Sequence, residues 1–78
     1  MTINEIITAK FSIDAGVLVR GSVKSEMKIA AFNRDLSIEC EEDKGFLNSI
    51  YYFKIHGNKE NVDDFMEWLN AWKHYNAF

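Results

Sequence analysis

Cys40, His56 and His74 are the side chains of this 78-residue chain that most readily supply a nucleophile, a base or a metal ligand. A cysteine beside a histidine forms an activated nucleophile, and a histidine among carboxylates can ligate a metal. The acids that such a metal site would combine with His56 are Glu39, Glu41, Glu42 and Asp43. None of these residues has the spacing of a Cys-x-x-Cys or His-Glu-x-x-His motif. We therefore interpret Cys40 as a small buried hydrophobic residue and the acids as solvated loop residues, and we predict no enzymatic activity, metal or cofactor.

A second group of acids lies on a predicted C-terminal helix. Glu60, Asp64 and Glu67 follow one another at spacings of four and three, so they share one exposed flank, with Asp63 beside them. Carboxylates in such a row can stand in for backbone phosphates and occupy a basic groove of a partner protein. The alternative is that they compensate the helix dipole and keep the helix soluble.

Aromatic residues adjoin this acidic flank. Trp68 lies beside the apolar stripe of the helix, so we expect it to be half buried, and tryptophan and tyrosine dominate the energy of many protein interfaces. The tail 75–78 adds Tyr75 and Phe78, which either fold back over a sheet edge or meet a partner. The predicted partner-binding residues are Glu60, Asp63, Asp64, Glu67, Trp68 and Tyr75.

Single-stranded nucleic acid is a weaker candidate ligand. The aromatic run Tyr51, Tyr52 and Phe53 next to Lys54 has the composition of a base-stacking surface. Alternation along the strand, however, favours Tyr51 and Phe53 as core residues. The chain also has a net charge of −3, and its second half, residues 39–78, holds eight acids against four lysines. This balance disfavours nucleic acid and favours a protein with a basic surface.

Periodicity predicts an α+β fold: an antiparallel meander of four to five strands with one C-terminal helix packed on one face. Residues 2–13 alternate as a strand, residues 14–16 suggest a hairpin turn, and residues 17–24 alternate again. Residues 49–56 alternate most clearly, with apolar side chains on both faces, which is typical of a central strand.

The segment 25–32 is ambiguous between a short helix that begins after Ser25 and a strand. We favour a strand that pairs with residues 36–41 across a polar turn at 33–35, with residues 42–45 as a loop. The helix begins near Asn58 or Asn61, and Val62, Phe65, Met66, Leu69 and Trp72 form its apolar stripe.

Length and composition bound the remaining possibilities. A chain of 78 residues is one domain, and 47% hydrophobic residues with 14% aromatics exclude a disordered chain. The longest apolar runs are too short to span a membrane, and the N-terminus lacks the features of a secretion signal. A single cysteine, Cys40, cannot form an internal disulfide, so we expect a cytoplasmic protein.

In its size, acidity and lack of catalytic motifs, the chain resembles the small proteins of phages and mobile elements that inhibit host defences, anti-CRISPR proteins among them. This resemblance is to a class and carries no residue motif. It implies a non-enzymatic inhibitor that binds a basic surface of another protein. The alternatives are a homodimer, formed through an edge strand at residues 2–13 or through the tail 75–78, and a binder of single-stranded nucleic acid that uses residues 51–54.

Overall fold

The computed structural model describes residues 5–16, 20–45 and 48–75. In chain order they form strand β1 (Ile6–Gly16), helix α1 (Arg20–Asn33), strand β2 (Ser37–Lys44), strand β3 (Asn48–Asn58) and helix α2 (Lys59–Tyr75). The fold is therefore α+β, as predicted. The described residues contain three strands and two helices, however, so the prediction of four to five strands and a single helix was wrong.

The last strand in sequence, β3, is the centre of the sheet. The strand order is β1-β3-β2, and both outer strands run antiparallel to β3, so that Phe53 lies between Phe11 of β1 and Cys40 of β2. The two outer strands are consequently parallel to each other and are connected through α1. This arrangement is a split β–α–β unit in which β3 occupies the gap, followed by α2.

Alternation along β3 separates a covered face of the sheet from an open one. Tyr51, Phe53 and Ile55 are buried, whereas Tyr52 and Lys54 between them are exposed. The buried residues of both helices belong to the same hydrophobic core as the first three side chains, so both helices cover one face. The predictions that this strand is central and that Tyr51 and Phe53 belong to the core are confirmed.

Helix α2 begins and packs as its sequence predicts. The Asn58 side chain accepts a hydrogen bond from the backbone N–H of Glu60 at 2.9 Å, which satisfies one of the free donors at the helix start. The basic residues Lys73 and His74 lie in the last turn, where the helix dipole favours positive charge. The buried residues of the helix are Val62, Phe65, Leu69 and Trp72.

Helix α1 is the main correction to the sequence analysis. Most of the segment assigned to two strands, residues 17–24 and 25–32, is one helix, so the helix alternative for 25–32 is the correct one; residues 17–19 lie outside the described part of the chain. Its buried residues Val23, Met27, Ala30 and Ala31 recur at intervals of four, three and one, which is a helical stripe. Alanine, methionine, lysine and glutamate are also strong helix formers, so local preference and burial agree.

The polar stretch 33–35, predicted as a hairpin turn, instead ends α1. Asp35 has φ 58°, and the N–H groups of Leu36 and Asp35 donate to the carbonyls of Ala31 (3.0 Å) and Phe32 (3.1 Å). These two bonds, with a left-handed residue between helix and strand, form a Schellman motif. Two loop predictions were also wrong: residues 14–16 continue β1, and residues 42–44 continue β2.

Leu36 then packs closely over β3. A Cβ atom built on Gly57 would lie 2.5 Å from Leu36 Cδ2, so the missing side chain of Gly57 leaves the space in which the buried leucine sits. The turn after α1 is thus fixed both by its backbone hydrogen bonds and by this contact with the central strand.

Truncation of the central strand tests this packing. We expect Ile55→Val to lower the free energy of unfolding by about 1 kcal/mol, because Ile55 is fully buried and the change leaves a small cavity. Ile6→Val is the matched control in β1, since Ile6 is 59% exposed, and it should change stability by less than about 0.5 kcal/mol. Urea unfolding at constant m value measures both. Equal losses in the two variants would contradict the core assignment.

Candidate functional site

The residues best suited to catalysis lie apart from one another. Cys40 is opposite Phe53 on the covered face of the sheet, whereas His56 is opposite Thr8 and Ser37 on the open face. His56 Nδ1 is hydrogen-bonded to the Thr8 hydroxyl at 2.7 Å. Because the sheet separates the thiol from the imidazole, the two cannot act as a pair. Within residues 5–16, 20–45 and 48–75, no cluster of three or more histidine, cysteine or acidic side chains could hold a metal ion.

The surroundings of Cys40 also disfavour its thiolate form. Partial burial raises the pKa of Cys40, and the positive charges of Lys24 and Lys28 on α1 oppose this only in part. A raised pKa means that the reactive thiolate forms at higher pH than in an unperturbed cysteine. The interpretation of Cys40 as a packing residue agrees with this environment.

This gives a pH prediction. The rate at which native Cys40 reacts with a disulfide reagent should rise at higher pH than the rate for the same protein unfolded in urea. Around pH 8 the native thiol should therefore react more slowly, both because less of it is ionised and because it is partly buried. Stopped-flow absorbance over a pH series measures this. A native pKa below that of the unfolded chain would contradict the partly buried environment assigned to Cys40.

The richest set of side-chain interactions lies between the two helices, where Arg34 joins the end of α1 to α2. Its Nε donates to Asp64 Oδ2 at 2.8 Å, and its Nη1 donates to the carbonyl of Ala30 at 3.1 Å. The guanidinium carbon lies 5.5 Å from the centroid of the Trp68 ring, within cation–π range. One side chain therefore connects an acid and a tryptophan of α2 to the backbone of α1.

A groove opens at the other end of this helix pair. Trp72 Nε1 donates to Glu26 Oε2 at 3.3 Å, so residues 26 to 34, in α1 and the turn after it, run beside residues 72 to 64 of α2, and the helices are antiparallel. We call the cleft between them the helix groove. It is lined by Glu26, Trp68, Ala71, Trp72 and Tyr75.

The aromatic residues of the groove, Trp68, Trp72 and Tyr75, form what we call its aromatic wall. The two tryptophans pack against the protein, whereas Tyr75 is exposed. Trp68 is half buried, as predicted, and its ring centroid lies 5.5 Å from that of Phe65 and 6.3 Å from that of Trp72. Tyr75, by contrast, is 90% exposed. A partner could therefore contact Tyr75 without rearranging the core, whereas Trp68 also belongs to the packing of the protein. The predicted contact through residues 76–78 lies outside the described residues.

The four predicted acids differ in what they contact. Asp64 is paired with Arg34, and Asp63 accepts a hydrogen bond from Lys59 at 2.8 Å. That bond raises the pKa of the Lys59 amine, and the negative charge of Asp63 adds to the effect. Glu60 and Glu67 are exposed, and neither forms an ion pair with any residue that the structure describes. Of the predicted acids, these two are the ones open to a partner.

Two residues of this region were missed from the sequence, Glu26 and Arg34. Both belong to α1 or its C-terminal turn, and both had been assigned to a strand segment or a hairpin turn. The helical recurrence of Val23, Met27 and Ala30 was the signal that could have revealed them. It would have placed Glu26 and Ala30 on the same side of one helix.

The open face of the sheet is the second surface of interest. Tyr52 is exposed at its centre, next to Lys54, and the nearest residues across the sheet are Ser12, Glu41 and Lys10. Two lysines on this face, Lys10 and Lys54, are outnumbered by four acids: Asp14, Glu39, Glu41 and Asp43. The aromatic side chain that a single-stranded nucleic acid would need is therefore present in an acidic environment, which repels phosphate.

No protein-family model and no curated protein matches the chain. Within the described residues, neither helix combines the length and the apolar composition that crossing a bilayer requires.

A double-mutant cycle tests how Arg34 and Asp64 are coupled. Both side chains are partly exposed, so we expect their coupling energy to be below about 1 kcal/mol. Arg34→Ala alone should cost more, about 1–2 kcal/mol, because it also removes the bond to the Ala30 carbonyl and the contact with Trp68. Urea unfolding of the single and double variants measures the cycle. A loss for Arg34→Ala no larger than for Asp64→Ala would contradict this account.

Proposed function

We propose that this protein is a non-enzymatic interaction domain that binds a basic surface of another protein through α2 and the helix groove. One observation carries the proposal: exposed carboxylates and an exposed aromatic side chain lie on the same side of one helix. Glu67 lies one turn before Ala71 of the groove wall, and Tyr75 lies one turn beyond it. Aromatic contact area beside complementary charge is the composition of an interface hot spot.

The Arg34 site supports a cationic partner. There a guanidinium is held between a carboxylate and an indole ring, at 2.8 Å from Asp64 and 5.5 Å from the Trp68 centroid. A carboxylate and an aromatic ring recur farther along the helix as Glu67 and Tyr75, about 12 Å apart along the helix axis. Two cationic side chains of a partner, one at each residue, would find there the two kinds of contact that Arg34 makes within the chain.

Charge compensation favours α2 as the partner-binding surface over the other acidic cluster, which lies on β2. Glu39 forms an ion pair with Lys54 at 3.2 Å, and Lys24 and Lys28 of α1 lie close to the Cys40 region of the same strand. The β2 acids therefore already have cations nearby. Glu67 forms no ion pair with a described residue, and the cation next to Glu60, Lys59, is already paired with Asp63 at 2.8 Å, so α2 gains more from an external cation.

An inhibitor of a nucleic-acid-binding protein is the form of this activity that we propose. A surface that binds nucleic acid presents arginine and lysine side chains spaced to meet phosphates, and a row of helix carboxylates complements such a surface. The proposed compartment is the cytoplasm, where a single unpaired cysteine stays reduced. Nucleic acid itself is not a proposed ligand, since the chain is acidic.

The test compares two variants with the same change in charge. In the first, Glu60→Lys and Glu67→Lys are combined with Tyr75→Ala; in the control, Glu41→Lys is combined with Asp43→Lys on the open sheet face. All five positions are exposed, so both proteins should keep the fold. Trp68 is left unchanged because its contacts with Phe65, Trp72 and Arg34 make its removal a test of stability instead.

Nuclear magnetic resonance titration with an arginine-rich peptide that also carries apolar residues is the measurement. We expect shifts of the amides of Glu60, Glu67 and Tyr75, and binding that is weakened by about tenfold or more in the α2 variant only. Shifts centred on β2, or equal loss in both variants, would contradict the proposal. Titration with a single-stranded oligonucleotide at low salt should produce no shifts on the open face; shifts at Tyr52 would favour the nucleic-acid alternative.

A further inference from the structure

The two edges of the sheet differ in how well they are protected against pairing with another strand. The β2 edge carries Glu39, Glu41, Glu42 and Asp43, and dense charge of this kind prevents edge-to-edge association. The sequence of β1 is mainly apolar or neutral, with Lys10 and Asp14 as its only charges over eleven residues. Among the described residues, no strand lies outside β1. The less protected edge is therefore also the longer one.

The hydrogen-bond pattern identifies which groups of β1 face outward. The N–H of Lys59 donates to the carbonyl of Glu5 at 2.7 Å, which extends the β1–β3 register by one step beyond Ile6 and Asn58. In an antiparallel ladder, residues alternate between bonding to one neighbour and bonding to the other. Odd-numbered residues of β1 therefore bond to β3, and Thr8, Lys10 and Ser12 turn their N–H and C=O groups toward the free edge.

We propose that two copies of this chain pair through β1, antiparallel about a two-fold axis at Ser12, to form one continuous sheet of six strands. In this register the outward-facing residues of one copy meet outward-facing residues of the other, so each hydrogen-bonded pair has both partners in place. Ser12 lies opposite the partner's Ser12. Helix α2 is not needed for this contact, so the inference is independent of the proposed function.

Charge selects this register over its neighbours. Lys10 lies directly opposite Lys54 within the sheet, and the nearby acid Glu39 is already paired with Lys54 at 3.2 Å. Lys10 has no carboxylate partner among the described residues. With the axis at Ser12, each Lys10 faces the partner's Asp14 across the new strand pair. Axes at Phe11 or Ile13 would place Lys10 opposite the partner's Ser12 or Gly16, without a carboxylate, and an axis at Lys10 would oppose two lysines, which destabilises a strand pair.

Burial on the covered face agrees with an added strand. On the covered face of β1, Phe11, Ala9 and Ile7 are only partly buried, whereas Ile13 and Ala15 farther along the strand are already buried within the single copy. In the proposed register Phe11 lies opposite the partner's Ile13, and Ala9 lies opposite the partner's Ala15. The second copy thus covers apolar surface that the single copy leaves partly in water.

Amide hydrogen exchange on the full chain, with light scattering over a range of concentration, tests the pairing. We expect a mass that rises from 9.1 kDa toward twice that value, and protection of the Thr8, Lys10 and Ser12 amides that increases with concentration. The amides of Ala9 and Phe11 should be protected at every concentration because they bond to β3. A monomer throughout, or a dimer in which the even-numbered amides remain unprotected, would overturn the inference.

Two proline variants separate this edge from the other. Ser12→Pro removes an outward N–H without removing a bond to β3, so it should abolish the dimer and leave the fold intact. Glu42→Pro is the matched control, since Glu42 holds the corresponding outward position on β2, and this variant should leave the dimer unchanged.

If Ser12→Pro unfolds the chain, exchanging the charges at positions 10 and 14 still tests the proposed register. Lys10→Asp should weaken the dimer about tenfold or more, and Lys10→Asp with Asp14→Lys should restore it. Loss of the dimer in Glu42→Pro, or no recovery in the double exchange, would overturn the register.

Discussion

Everything else in the structure depends on the position of β3 in the middle of the sheet. One of its neighbours, β2, directly precedes it in sequence, whereas the other, β1, is separated from it by α1 and β2. Its buried side chains, Tyr51, Phe53 and Ile55, lie under both helices, so the core forms on one face of the sheet. Because side chains alternate along a strand, the same arrangement leaves Tyr52, Lys54 and His56 in solvent. One strand therefore defines the covered face, the open face and the spacing of the two edges.

The contact between the helices is the second constraint, and it is polar as well as apolar. Arg34 at one end and Glu26 at the other attach α1 to Asp64, Trp68 and Trp72 of α2. These interactions pair one of the four helix acids, Asp64, within the chain, and they hold Trp68 and Trp72 against α1. The result is a helix whose inner aromatic residues are held in place while Glu60, Glu67 and Tyr75 face outward, and rigid placement lowers the entropic cost of binding.

The sequence alone was sufficient to predict those elements whose own residues show a clear helical or strand periodicity. The α2 stripe and the alternation of β3 each follow from local periodicity, and both are confirmed; of the two predicted caps, Asn58 and Asn61, the structure has Asn58. Helix α1 was missed because Val17, Val19 and Val23 continue an apparent alternation into it, while its own stripe uses alanines, which contribute little to a hydrophobic pattern. The helix groove could not be predicted for the same reason, since one of its walls belongs to α1. Arg34 shows the limit most clearly: its partners are thirty and thirty-four positions away in sequence, and no local pattern connects them.

Pairing through the free edge of β1 would also determine where the acidic helix α2 lies in the dimer. A chain of 78 residues buries only about 60% of the surface that its unfolded form exposes, so a second copy along β1 adds burial where the single chain has little. A two-fold axis perpendicular to the sheet keeps the helices of both copies on the same side. Helix α2 rests against β1, with the Phe65 and Phe11 ring centroids 5.5 Å apart, so the two copies of α2 would lie near the axis. The paired chain would then present two acidic flanks in one direction, and a partner with a repeated or extended basic surface could engage both, which strengthens binding without any new contact.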